Sequence, residues 1–139
     1  MATFTSSLFN TGQKAAPRVG GQAVTVYSEL AITAAGAGDI YKMIPIPSGA
    51  RVVDWGLGAD DIDSNGSPAV TLSLGDSGSS TRYVSGSTIG QTGAAPVDAK
   101  LKTGYGYQYT ADDDIRITVG VAAATFAAGS VRCHVTYVI

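Results

Sequence analysis

A few places in this chain carry residue types that can do chemistry. Gly75-Asp76-Ser77-Gly78 sets a serine among the neighbours that surround many serine nucleophiles. Such a serine needs a base within hydrogen-bond reach and a carboxylate behind that base. Asp61-Ile62-Asp63-Ser64-Asn65-Gly66 has the Asp-x-Asp-x-Asn-Gly spacing that opens a calcium loop. There, alternate oxygens converge on the ion and the glycine permits a sharp turn. Tyr105, Tyr107 and Tyr109 alternate, and aromatic rings in a row can stack on a sugar. His134 and Cys133 are the only histidine and the only cysteine.

Each signal also has a plainer meaning. In trypsin-like proteases the histidine precedes the serine, whereas His134 follows Ser77, and the chain is too short for two β-barrels. Gly-Asp-Ser-Gly is equally what a tight hairpin turn wants, because Asp and Ser bond locally and Gly accepts positive φ. We therefore expect a turn and no catalytic residue. One histidine with no second His and no paired Cys does not make a typical zinc site, so His134 reads as a partly exposed or interface residue. The calcium loop lacks its closing acid, since position twelve is Leu72, and no helices flank it. Asp61, Asp63 and Asn65 are thus an Asx-rich turn first and weak calcium ligands second; no other cofactor is expected. Asp112-Asp113-Asp114 reads as a solvated turn that blunts a sheet edge. Cys133 shares a face with Val131 and Val135, which suits a buried, inert thiol.

The elements that would position these residues are strands. Residues 23–33 alternate, with Val24, Val26, Ser28, Leu30 and Ile32 on one face. Residues 39–46 make a second strand, stopped by Pro45 and Pro47. A third covers 51–57, with Val53, Trp55 and Leu57 inward. Residues 59–68 are a polar loop. Residues 70–74 and 81–84 form a hairpin across 75–80. A Gly/Ala/Thr-rich stretch covers 85–100, and a weak strand carries the three tyrosines. Ile115, Ile117, Val119 and Val121 mark a strand over 114–121. Val131, Cys133, Val135, Tyr137 and Ile139 mark the last one, over 130–139.

About eight short strands in 139 residues predict one all-β domain: a single antiparallel β-sandwich, jelly-roll-like, over residues 23–139. Residues 1–22 differ. They are small and polar, with isolated anchors at Phe4, Leu8 and Phe9, a cation at Arg18, and breakers at Pro17, Gly20 and Gly21. We read them as an extended N-terminal arm, ordered only where it has something to lie against; the plainer alternative is a loose terminus or one edge strand of the sheet.

Composition agrees. Charged residues are 14%, against roughly 25% in an average soluble domain. Ten aspartates stand against one glutamate, Glu29, which favours turns over helices. A net charge of −2 argues against a protein that coats nucleic acid. No apolar run reaches about 18 residues, so no membrane partner is expected. The start lacks a secretory signal, and a lone cysteine suits synthesis in a reducing cytoplasm.

The run Ile44-Pro45-Ile46-Pro47-Ser48-Gly49-Ala50-Arg51-Val52-Val53-Asp54 resembles small virion proteins of tailed bacteriophages, in which a strand ends in Pro and a Pro-x-Gly-Ala-x-Val turn leads into the next. The likeness continues through Ala59–Asp63, Asn65–Pro68, Leu72–Asp76, Thr81–Val84, Thr88–Gly93, Asp114–Val119 and the last strand. It implies a decoration or cement protein on the capsid exterior, made in the host cytoplasm. It also implies a major capsid protein as partner, homotrimeric self-association and no enzymatic activity. A tail or head-fibre module and a carbohydrate-binding sandwich are the rival readings.

Overall fold

The computed structural model describes residues 22–93 and 100–139. Seven strands follow in order: β1 (Ala23–Ile32), β2 (Ile40–Ile46), β3 (Arg51–Ala59), β4 (Leu72–Gly75), β5 (Val84–Ser87), β6 (Asp113–Val119) and β7 (Gly129–Val138). One 3-10 turn, Ile89–Gln91, follows β5. Every strand pairing is antiparallel.

Two sheets result, ordered β1-β7-β3 and β2-β6-β4-β5. The tyrosine segment lies along the free side of β3. Gly106 N–H donates to the Val52 carbonyl, Val52 N–H to the Tyr107 carbonyl and Tyr109 N–H to the Ala50 carbonyl. It forms a single bridge, Arg51 to Gln108, rather than a full strand. Counted as an eighth strand, it completes two four-stranded sheets in jelly-roll order.

Alternation explains the sandwich. Ile115, Ile117 and Val119 of β6 face Val131, Cys133 and Val135 of β7 across a core that also buries Trp55, Leu72, Leu74 and Tyr83. Each large buried apolar side chain contributes about 1.5–3 kcal/mol.

The structure corrects the reading of several residues. Val53 is not an inward residue: the register of β3 on β7 jumps between Val52 and Asp54, leaving Val53 as the extra residue of a bulge. Val52 is buried in its place, and beyond the bulge Trp55 and Leu57 keep their inward phase. The second strand of the β4–β5 hairpin begins at Val84, because Arg82 and Tyr83 are still bonded into the turn, to Ser79 and Leu74. Val121 and Ile139 lie beyond their strands and are 50% and 65% exposed.

Candidate functional site

Gly75-Asp76-Ser77-Gly78 is a turn. Asp76 Oδ1 accepts the N–H groups of Gly78 (3.0 Å) and Ser79 (2.8 Å). Arg82 folds back and donates Nε to Oδ2 at 2.5 Å and a terminal nitrogen to Oδ1 at 3.2 Å. Tyr109 O–H donates to Oδ2 at 2.8 Å. An ionised carboxylate only accepts, so the 2.6 Å contact between Tyr83 and Tyr109 is donated by Tyr83. Arg82 lies 3.6 Å over the Tyr107 ring, which meets Tyr109 edge-on at 5.0 Å. Burial alone would raise the Asp76 carboxyl, but Arg82 and then Tyr109 outweigh it and hold it low. Ser77 donates to Asp113 at 2.8 Å. It has no imidazole beside it, because His134 lies on β7 in the other sheet. Gly75 has to be glycine: a Cβ there would sit 2.1 Å from the Ser79 carbonyl oxygen.

The Asp61 loop is also closed on itself. Asp61 Oδ1 accepts the Asp63 N–H, and Asn65 Oδ1 accepts the Ser67 N–H. Asp63 is 1% exposed and takes five main-chain donors. Asn65 and Thr125 reach Oδ1, while Ala69, Val70 and Ala124 reach Oδ2. Burial pushes this carboxyl up, and the amide donors more than reverse that, holding it far below the usual carboxylate range. Asp61 Oδ1, Asn65 Oδ1 and both Asp63 carboxylate oxygens thus face amide hydrogens. Asp63 ties its own loop to the Ala124–Thr125 turn of the β6–β7 connection.

His134 sits on the outer face of the β1-β7-β3 sheet. The rows across that face are Thr25–Thr136–Asp54, Tyr27–His134–Gly56 and Glu29–Arg132–Gly58. The two glycines carry the geometry. A Cβ at Gly56 would sit 2.3 Å from the His134 ring, and one at Gly58 2.8 Å from the Arg132 side chain. Both long side chains therefore lie flat across β3. Arg132 pairs with Asp60 at 3.0 Å and Glu29 at 3.5 Å. Tyr27 O–H donates to Glu29 at 2.8 Å, and Lys100 pairs with Asp54. The result is a flat, aromatic-edged face whose charges are already matched. The signal for it is the outward pair of glycines in β3, which the strand reading passed over.

Cys133 points the other way, into the core, and burial pushes its thiol up to about 12. Of the three tyrosines, Tyr109 is buried, Tyr107 is half-buried under Arg82, and Tyr105 stands 69% exposed. Phe4, Leu8, Phe9 and Arg18 of the arm lie outside the described residues.

No family model and no curated protein matches the chain. Solved structures do. The chain is similar over its full length to a chain of the capsid asymmetric unit of cyanophage Pam1, with 37% identity, 99% of that chain covered and a TM-score of 0.81. A chain from the capsid of Ralstonia phage GP4 is similar over 91% of this chain and 90% of its own, at 26% identity and a TM-score of 0.73. The fold alone is shared with a chain of the acidic stable capsid of the Helicobacter pylori bacteriophage KHP30, at 17% identity over 85% of this chain and 92% of that one, with a TM-score of 0.56.

Proposed function

The chain belongs to a family of capsid-associated structural proteins of bacteriophages, and from that premise we propose that it is a decoration or cement protein on the capsid exterior. The end-to-end likeness to a chain of the Pam1 capsid carries this reading. The outer sheet face supports it. A flat surface that carries Tyr27, His134 and Arg132, with each of its charges already paired, can be covered without stranding an ion. The partners are the major capsid protein and further copies of this chain, arranged as a homotrimer about threefold positions of the shell. Repeated contacts on a lattice give avidity even where each contact is weak. The mechanism is mechanical: each copy bridges coat subunits and resists their separation.

Adding purified protein to phage heads that lack it tests this. Saturable binding to the outer surface and a higher temperature of DNA release are expected. Density on the tail, or heads that neither bind the protein nor gain stability, would overturn it.

A further inference from the structure

The sandwich leaves one sheet edge unguarded. β2 carries a bulge between Lys42 and Ile44 and a proline at Pro45. β5 is four residues long, with Gly86 at positive φ. The free side of β3 is taken by the tyrosine segment. β1 has none of these devices: it is ten residues long, in unbroken register with β7, and free of proline and lysine. Long, flat edges of this kind invite another strand.

The direction of the edge groups follows from β7. Ser130 accepts the Asp60 N–H on its carbonyl and gives its own N–H to the Asp60 carboxylate, both at 2.9 Å. Its main chain therefore points to β3. By alternation, Val131, Cys133, Val135 and Tyr137 point to β1, where they meet Leu30, Ser28, Val26 and Val24. Thr25, Tyr27, Glu29 and Ala31 are left aiming their N–H and C=O groups outward. Among the described residues, no hydrogen bond reaches those groups. Beside them, Leu30, Ile32, Ile40 and Tyr41, together with Thr33 and Asp39, line a depression of about 230 Å³ between β1 and β2. Leu30 is 40% exposed there and Ile40 51%.

We propose that this edge receives residues 3–9 of a second copy of the chain as an added strand. Thr3-Phe4-Thr5-Ser6-Ser7-Leu8-Phe9 is uncharged and rich in strand formers. In an extended strand Phe4 and Leu8 share a face, which suits the exposed Leu30 and Ile40 in that depression; Thr5 and Ser7 take the other face. Residues 10–22 join this run to β1 and contain Gly12, Pro17, Gly20 and Gly21. Extended, those thirteen residues span about 45 Å. β1 itself is about 33 Å long, so the run reaches past its own sheet to a neighbour's. An arm given to one neighbour and an edge offered to another is a head-to-tail contact, which closes as a trimeric ring when three such rotations complete a turn. The proposal deepens the self-association in the reading above and names its interface.

Proline scanning tests it on full-length protein in solution. Thr25→Pro/Ala31→Pro removes outward N–H groups and one exposed hydroxyl contact, Thr25 to Thr136, so the sandwich should melt close to wild type while the edge no longer accepts a strand. Thr5→Pro/Ser7→Pro spoils the donor. By native mass spectrometry, wild type should be a trimer and each variant alone a monomer. The two variants mixed should form a one-to-one dimer, because one still donates and the other still accepts. Hydrogen exchange gives a readout that does not depend on the edge variant folding. In wild type the amides of Thr25, Tyr27, Glu29 and Ala31 should be protected, and in Thr5→Pro/Ser7→Pro exposed. A monomeric wild type, trimers that survive both variants, or a mixture that stays monomeric would overturn the exchange. In the first and last cases, protected β1 amides would mean that each chain covers its own edge. None of these outcomes decides the head-binding assay, which judges the decoration reading separately.

Discussion

Asp63 and Asp76 flank β4, one bonded to Val70 ahead of it and the other following Gly75 behind it. Both are nearly sealed from water, at 1% and 2% exposed. Asp63 is held by main-chain N–H groups alone, drawn from its own loop and from the turn at Ala124 and Thr125. Asp76 has two main-chain donors and relies for the rest on Arg82 and Tyr109. Main-chain donors cannot turn away or change character. Side-chain partners can rotate, and a tyrosine hydroxyl can accept as well as donate. The first anchor is therefore rigid and intolerant of change. The second is adjustable, but it carries a buried charge that must stay paired.

The same substitution at both sites should separate them. Asp63→Asn turns an NH₂ group toward amide donors and should lower the melting temperature by roughly 15 °C. Asp76→Asn can re-pair with Tyr109 and should lose about half as much. Equal losses in thermal melts would erase the difference between the two anchors. Comparable in size to Asp63→Asn is Arg82→Met. It keeps the stem and strands the Asp76 charge, at a cost of about 3–5 kcal/mol in denaturant unfolding. If Asp76→Asn is added to Arg82→Met, part of that loss should return, since no charge is left unpaired.

The smallest effect is the pH response. Both carboxyls sit below their ordinary value in the folded state. As pH falls, the unfolded chain takes up these protons first. The stability they contribute is complete above the unfolded value near 4 and is lost as pH drops below it toward the folded values. Melting temperature should vary little on account of these groups from pH 7 to 5 and fall below about pH 4. Asp63→Asn should flatten that fall more than Asp76→Asn, because Asp63 is the more strongly depressed. An acid limb unchanged in both variants would assign the transition to other groups.

Much of the fold could be read from the chain because half-buried strands repeat every two residues, as β1, β6 and β7 do. Val53 defeated that reading because a bulge adds one residue without leaving a mark in the local pattern. The spacing around Asp61 and Asp76 was visible, and so was its turn chemistry. The partners that give the two aspartates their roles were not. Thr125 lies 62 positions from Asp63, and Tyr109 lies 33 from Asp76. Periodicity says nothing about contacts at that range; only the jelly-roll connection brings them together. The flat outer face was half legible. His134 stood out as a lone histidine, while Gly56, which lets it lie down, and Gly58, which does the same for Arg132, carry no side chain to mark a face.

The ladder between β1 and β7 pairs Ala23 with Val138 and Ile32 with Gly129. A tension that enters at Ala23 and leaves at Val138 opens this ladder like a zipper, one pair at a time. A tension that enters at Ala23 and leaves through the other end of β7, near Gly129, runs along the strands and loads all ten pairs together in shear. The same hydrogen bonds are far stronger in the second geometry. If the shell pulls on the residues before β1, the coat contact that resists it best is the one nearest the Asp63 end of the sandwich, where β7 begins.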